Sequence, residues 1–223
     1  MDLSFLYPKP RNLPPVVSLT TEQLLARLQS VLETSAPLVA SRLQPGLSDA
    51  QIAALEVQGG FRLSDDLRAL YRWHNGTSIT EDEWLEGVED ELLGGKRFLS
   101  LDEAVDARAL RQNVTFQSEL QREAHLALVG PKMGWIQVLD DGAGDGYFYD
   151  PERTDAEGAF FYHFTDDCSY RWFPSLRNFL AGVVECYETG AIRVAADGEY
   201  LDEDFDRTHR IWERFARNSY IDD

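Results

Sequence analysis

The sequence predicts an α+β fold: a single antiparallel sheet of about five or six strands with helices packed around it. Three observations predict it. Capped, amphipathic segments fill residues 20–76. Short aromatic or β-branched runs, separated by turn residues, follow at 126–164. One long segment with a continuous apolar stripe comes at 175–189. Helices grouped apart from strands, rather than alternating with them, point to α+β architecture. The chain has 223 residues, 43% of them hydrophobic and 12% aromatic. That length suits one domain with extensions and supports a sizeable core.

Taken in order, residues 1–18 carry Pro8, Pro10, Pro14 and Pro15 and read as an extended arm, because proline fixes φ and removes a donor. Residues 19–46 form an N-terminal helical extension. In it Thr20 and Gln23 make a capping box, and Leu24, Leu28, Val31, Leu32 and Ser35 share one face. Pro37 interrupts that helix and "QPG" at 44–46 ends it. A domain then spans 47–190. Its first helix, "LSDAQIAALEVQGG", has Ser48 with Gln51 as a second capping box and Gly59-Gly60 as its stop. In "LSDDLRALYRWHNG", Ser64 caps, Asp65 and Asp66 suit the positive end of the helix dipole, and Asn75-Gly76 supplies a left-handed stop. The acidic stretch 77–95 reads as irregular or partly helical. "RFLSL" is a short strand and "DEAVDARALRQ" a helix. "LALVG", "GWIQVLD", "GYFYD" and "AFFYHF" are further strands, with "GAGDG" as a hairpin turn. "PSLRNFLAGVVECYETG" is the clearest helix, with Ser175 as cap, Gly190 as stop and Leu176, Phe179, Leu180, Val183, Val184 and Tyr187 in one stripe. A C-terminal helical extension, 191–223, ends with an amphipathic helix that has Phe205, Thr208, Trp212 and Phe215 on one side.

Charge excludes some functions. Asp plus Glu number 39 against 21 Lys plus Arg, a net of −18. Such a surface repels phosphate backbones, so nucleic acid is not the expected partner. No run is long enough to span a membrane and the N-terminus has no apolar signal region, so a cytoplasmic protein is expected. The sequons at Asn75 and Asn113 then carry no meaning. Cys168 and Cys186 form neither a CxxC pair nor a zinc pattern, and Cys186 reads as a buried thiol.

"LYRWHNGTS", residues 70–78, places Trp73, His74, Asn75 and Gly76 side by side. His74 closes an apolar stripe of Leu63, Leu67, Leu70 and Tyr71. A catalytic histidine needs an orienting carboxylate and a nucleophile, and neither stands nearby in a recognisable spacing, so the helix-end reading is preferred. A helix ending in "LYRWHNG" after "LSDAQIAALE" and "FRLSDDL" resembles the SUKH superfamily, which includes the yeast cell-wall assembly regulator and many bacterial immunity proteins of toxin systems. "GGKRFLSLDEAV", "GWIQVLDDGAGDGYFYDPE" and "WFPSLRNFLAGVVE" fit in the same order, so the resemblance covers roughly 47–190. It implies structural motif roles for Glu56, Trp73, Asn75, Gly76, Trp135, Gly144, Asp145 and Ser175. Ser64 departs from the proline usual in the family, and it can cap the helix instead.

Other constellations compete with bland alternatives. Asp141, Asp145, Gly146 and Glu152 occupy positions one, five, six and twelve of an EF-hand loop, but position three is Ala143 and the flanks read as strands. No metal or cofactor is expected. No GxSxG, P-loop or HExxH occurs, and His125, His163 and His209 are scattered, so no reaction is proposed and the protein is expected not to be an enzyme. Trp84 and Trp172 are candidate partner contacts or covers of core edges. Asp140, Asp141 and Asp145 are candidate contacts for a basic partner or ordinary turn residues. The resemblance implies a protein-binding module: an immunity protein neutralising a cognate, basic, possibly nuclease toxin, or a regulatory scaffold. A small-ligand or metal-binding domain using the Asp-Gly hairpin is the competing class.

Overall fold

A computed structural model describes residues 19–78, 80, 82, 91–93, 96–113, 118, 134–152, 160–163, 169–195, 201–216 and 219–220. The proline-bearing arm, "LALVG", Trp84, His125 and Cys168 lie outside the described residues. The helices are α1 (Thr21–Ser35), α2 (Pro37–Arg42), α3 (Asp49–Gly59), α4 (Asp65–Trp73), α5 (Leu101–Gln112), α6 (Leu176–Thr189) and α7 (Phe205–Phe215). The strands are β1 (Leu43–Pro45), β2 (His74–Thr77), β3 (Glu91–Leu93), β4 (Lys96–Phe98), β5 (Ile136–Asp140), β6 (Gly146–Tyr149), β7 (Phe160–His163), β8 (Ser169–Phe173), β9 (Ile192–Val194), β10 (Leu201–Glu203) and β11 (Ser219–Tyr220).

The main sheet is an antiparallel meander in the order β11-β8-β7-β6-β5-β4-β3. Its seven strands include two short edges, β3 and β11, around the five central strands β4–β8. The single sheet expected from the sequence is therefore roughly right, but two ribbons stand apart from it: β1 with β2, and β9 with β10. Strand β8 takes in the stretch around Trp172, which carries no regular signal in the sequence. Only the backbone of Trp172 falls within the description.

The sheet is covered on both faces. Every residue of β6 and β7 is buried. Tyr147, Tyr149, Phe160 and Tyr162 point into the main core. Phe148 and Phe161 alternate with them along the strands and join Trp135 in a second cluster. On the main face lies α6, whose Phe179 ring sits 4.8 Å from Tyr147, 5.0 Å from Phe160 and 5.2 Å from Phe173. Phe179, Leu180 and Val183 are buried, as the stripe predicts. Ser175 caps this helix by accepting from Asn178 N–H, and Gly190 ends it in the left-handed conformation.

Helices α1 and α7 pack against α6 and contribute Leu24, Leu28, Leu32, Ile211, Trp212 and Phe215 to the same core. Trp212 reaches α6 because Gly182 has no side chain there: a Cβ would stand 2.3 Å from the indole. Two ion pairs fasten the ends, Arg27 to Glu188 at 2.5 Å and Arg214 to Glu185. Phe205 departs from the expected stripe. It occupies the first turn of α7 and is 76% exposed, because the buried side runs through Thr208, Ile211, Trp212 and Phe215.

Candidate functional site: the WHNG joint and the aspartate hairpin

The motif at 73–76 is a joint. Helix α4 ends at Trp73, and His74 turns extended, with φ −148° and ψ 148°. The expected left-handed stop does not form at Asn75. The chain instead continues into β2, because pairing with β1 supplies partners for the freed backbone (Pro45 opposite His74 and Leu43 opposite Thr77). His74 Nδ1 lies 2.7 Å from the Gln44 carbonyl, and Nε2 lies 2.9 Å from Gln29 Oε1 on α1. Its ring meets Trp73 edge-on at 4.5 Å. Burial lowers the His74 pKa, and the Gln44 contact opposes this in part.

Asn75 and Gly76 hold the start of α5. Asn75 Oδ1 accepts from Leu101 N–H at 2.8 Å, satisfying one of the donors a helix leaves open at its N-terminus. Gly76 has φ +86°, and a Cβ there would stand 2.5 Å from Ser100 N. Thr77 Oγ1 accepts from Phe98 N–H at 3.2 Å. Both ring nitrogens of His74, Asn75 Oδ1 and Thr77 Oγ1 are thus bound to architecture, the buried Trp73 Nε1 meets no acceptor among the described residues, and no nucleophile or carboxylate contacts the imidazole among the described residues.

Glu56 serves the neighbouring turn. It is buried, accepts from Leu63 N–H at 2.8 Å and pairs with Arg68. A buried carboxylate needs such partners. Trp135 is also buried and stacks on Phe161 at 5.0 Å.

The hairpin between β5 and β6 carries the aspartates. Asp141 Oδ1 accepts from Ala143 N–H at 2.8 Å and Asp145 N–H at 3.0 Å. Gly142 and Gly144 turn the chain with φ +78° and +104°. Asp140 is half-buried and accepts from Gln137 Nε2 at 2.8 Å, while Asp141 is exposed and Asp145 half-buried. Asp140, Asp141 and Asp145 therefore share one tip, with one carboxylate oxygen of Asp141 committed to the turn. Glu152 does not close that loop: its Oε1 lies 3.9 Å from the place of a Cβ on Gly134. Among the described residues no group of His, Cys, Asp and Glu could hold a metal ion.

Three acids of the run at 202–206 are built into the structure, while Asp206 is exposed. Asp202 pairs with Arg193 at 2.5 Å, Asp204 caps α7, and burial raises the Glu203 pKa. Cys186 is buried, and that burial pushes its thiol up to about 12. Sequence reasoning passed over Arg108 and Arg111, two α5 side chains turned toward the second sheet face. The visible signal was a pair of arginines one turn apart in "DARALRQ". Arg108 donates to the Gly134 carbonyl at 2.7 Å and the Gly59 carbonyl at 2.5 Å. Arg111 donates to the Trp135 carbonyl at 2.9 Å.

A meander with a helix seated on it, and a polar motif joining helix to ribbon, defines an α+β module. Residues 46–182, more than half of the chain, match the SMI1 / KNR4 family (SUKH-1), and the chain belongs to that family. A comparison with curated proteins finds no match. Helices α1 and α7 lie outside the matched span, yet both pack on α6. Within the described residues no helix is long and apolar enough to cross a membrane.

Proposed function

We propose that this protein is a non-enzymatic, cytoplasmic protein-binding module of the SUKH immunity type, which neutralises a cognate toxin that is basic over its contact face. The observation that carries this reading is a SUKH-1 domain joined to a net charge of −18. An acidic surface attracts basic proteins and repels nucleic acid. Exposed acids are present around the hairpin and on α5: Asp102, Glu103, Asp106 and Asp141. The His74 ring nitrogens and Asn75 Oδ1 of the WHNG joint are used in folding, which supports binding over catalysis. The same holds for the hairpin: its turn amides occupy Asp141, which weakens the small-ligand alternative.

The test is rescue. A toxin domain, sought in the gene neighbouring the one that encodes this chain, is expressed in a sensitive host with and without the chain, and the purified pair is run on a sizing column. Survival with the chain and a stable complex are expected. A toxin that kills equally in its presence, with no complex formed, sinks the reading. So does a basic substrate that the chain turns over.

A further inference from the structure

Two cations on α5 form no ion pair with any described residue. Arg108 is buried and Arg111 half-buried, in a protein with nearly twice as many acidic as basic residues. Yet among the described residues neither forms an ion pair. Their partners are neutral: the carbonyls of Gly59, Gly134 and Trp135, and the side-chain oxygens of Gln112 and Gln137. Arg111 lies over the Phe148 ring at 5.4 Å and Arg108 over the Phe61 ring at 5.5 Å. Aromatic faces fix the guanidinium planes but carry no net charge. The Nε–H of Arg111 is buried and has no acceptor among the described residues.

A desolvated cation without a paired anion is costly, and this chain brings two of them together. The Arg111 pKa is pushed down to about 10, first by burial and next by the charge of Arg108, with Asp140 opposing. Burial also lowers the Arg108 pKa, and Glu152 opposes it. Acids on the same helix are placed elsewhere: Glu103 pairs with Arg97 and caps the helix with Ser100, Asp102 accepts from Ser100, and Asp106 is exposed. Asp140 and Glu152 act on the pair from a distance; what it lacks among the described residues is an oxygen anion in direct hydrogen bond. Planar guanidinium forks match carboxylate and phosphate oxygens. Arg111 and Gly134 are half-buried.

We propose that Arg108 and Arg111 form an oxyanion-binding site, taking a phosphate or carboxylate group through the free donors of Arg111, with Arg108 adding charge behind it. This site does not rest on the immunity reading, since it needs no toxin and faces an anion rather than a basic protein.

The test uses the full chain and two probes, inorganic phosphate and acetate, each titrated at constant ionic strength against chloride. The readout is NMR of the arginine Nε–Hε signals. Saturable shifts of Arg108 and Arg111 alone, with either probe, support the site, and the probe that saturates first tells phosphate from carboxylate. Arg111→Gln should weaken binding by about tenfold or more, the scale of one lost charged hydrogen bond. Arg111→Lys keeps charge and loses the fork, and should bind with intermediate strength. If neither probe shifts these two signals beyond those of the exposed arginines, the proposal is overturned. That result would leave toxin rescue untouched.

Discussion

His74 faces two oxygens, the Gln44 carbonyl and Gln29 Oε1, in a half-buried place where charging it is unfavourable. Its replacement in His74→Gln should cost about 1–2 kcal/mol, the scale of a part-buried hydrogen bond left unmade. Partner binding should stay unchanged, because nothing at the ring is free to act. Urea unfolding beside a binding titration checks both halves, and loss of function at unaltered stability would return His74 to the candidate site. Its pKa also sets a sign. The folded value lies below the ordinary 6.5, so the unfolded chain takes up the proton more readily. The histidine's contribution is whole above pH 6.5 and declines as pH falls through that value toward the lowered one. The stability difference between wild type and His74→Gln should therefore shrink from pH 7.5 to 5.5, and denaturation at both pH values measures it. Gly76 is less tolerant. At φ +86°, and 2.5 Å from Ser100 N, an added Cβ brings backbone strain and overpacking together. Gly76→Ala should cost roughly 2–5 kcal/mol, seen as a large fall in the urea midpoint.

Among elements, α6 is the piece on which the others assemble, and α1 shows what holds them there. Leu28 is wholly buried in the core, whereas Arg27, half exposed, pairs with Glu188 at the edge. Burial should dominate. Leu28→Ala is expected to cost about 2–5 kcal/mol, and Arg27→Ala at most about 1 kcal/mol because water and salt screen an exposed pair. Equal losses in urea unfolding would show that the ion pair, not the apolar face, docks α1. These elements were legible in the sequence where the signal was local. Thr20, Ser48, Ser64 and Ser175 all cap as their spacing suggests, and the α6 stripe and the β5–β6 hairpin lie where their patterns place them. Non-local pairing was not legible. His74 goes extended because β1, 30 residues earlier, offers it a partner, so the Asn-Gly stop signal is overridden. The start of α5 is masked in the same way, since Ser100 and Leu101 read as the end of a strand until Asn75 is seen to hold that turn. At the hairpin the aspartates were legible as a group, but not the division of labour between turn and solvent. The arginine pair was invisible as a site because its neighbours, Gly59, Gly134 and Trp135, come from distant segments.

For the whole molecule, a charge of −18 acts at a distance that no single side chain reaches. The acids are not equivalent. Asp202 and Asp204 are spent on Arg193 and on the α7 cap, while the tip at Asp140, Asp141 and Asp145 and the α5 face at Asp102 and Asp106 stay turned outward in part or whole. A basic partner approaching this surface is steered before contact, so charge should govern the association rate more than the lifetime of the complex. Neutralising the hairpin as Asp140→Asn, Asp141→Asn and Asp145→Asn together keeps an oxygen to accept from Gln137 and from the turn amides. The fold should therefore survive, and urea unfolding confirms it. Stopped-flow mixing with the proposed basic partner should then show a slower on-rate and a nearly unchanged off-rate. The wild-type on-rate should fall steeply with salt, since the screening length contracts from about 10 Å at 0.1 M to about 3 Å at 1 M. The triple variant should follow salt less steeply, because it carries three fewer charges at the point of approach. An on-rate indifferent to salt in both proteins would remove long-range attraction from the account. Binding would then have to rest on shape and apolar contact alone.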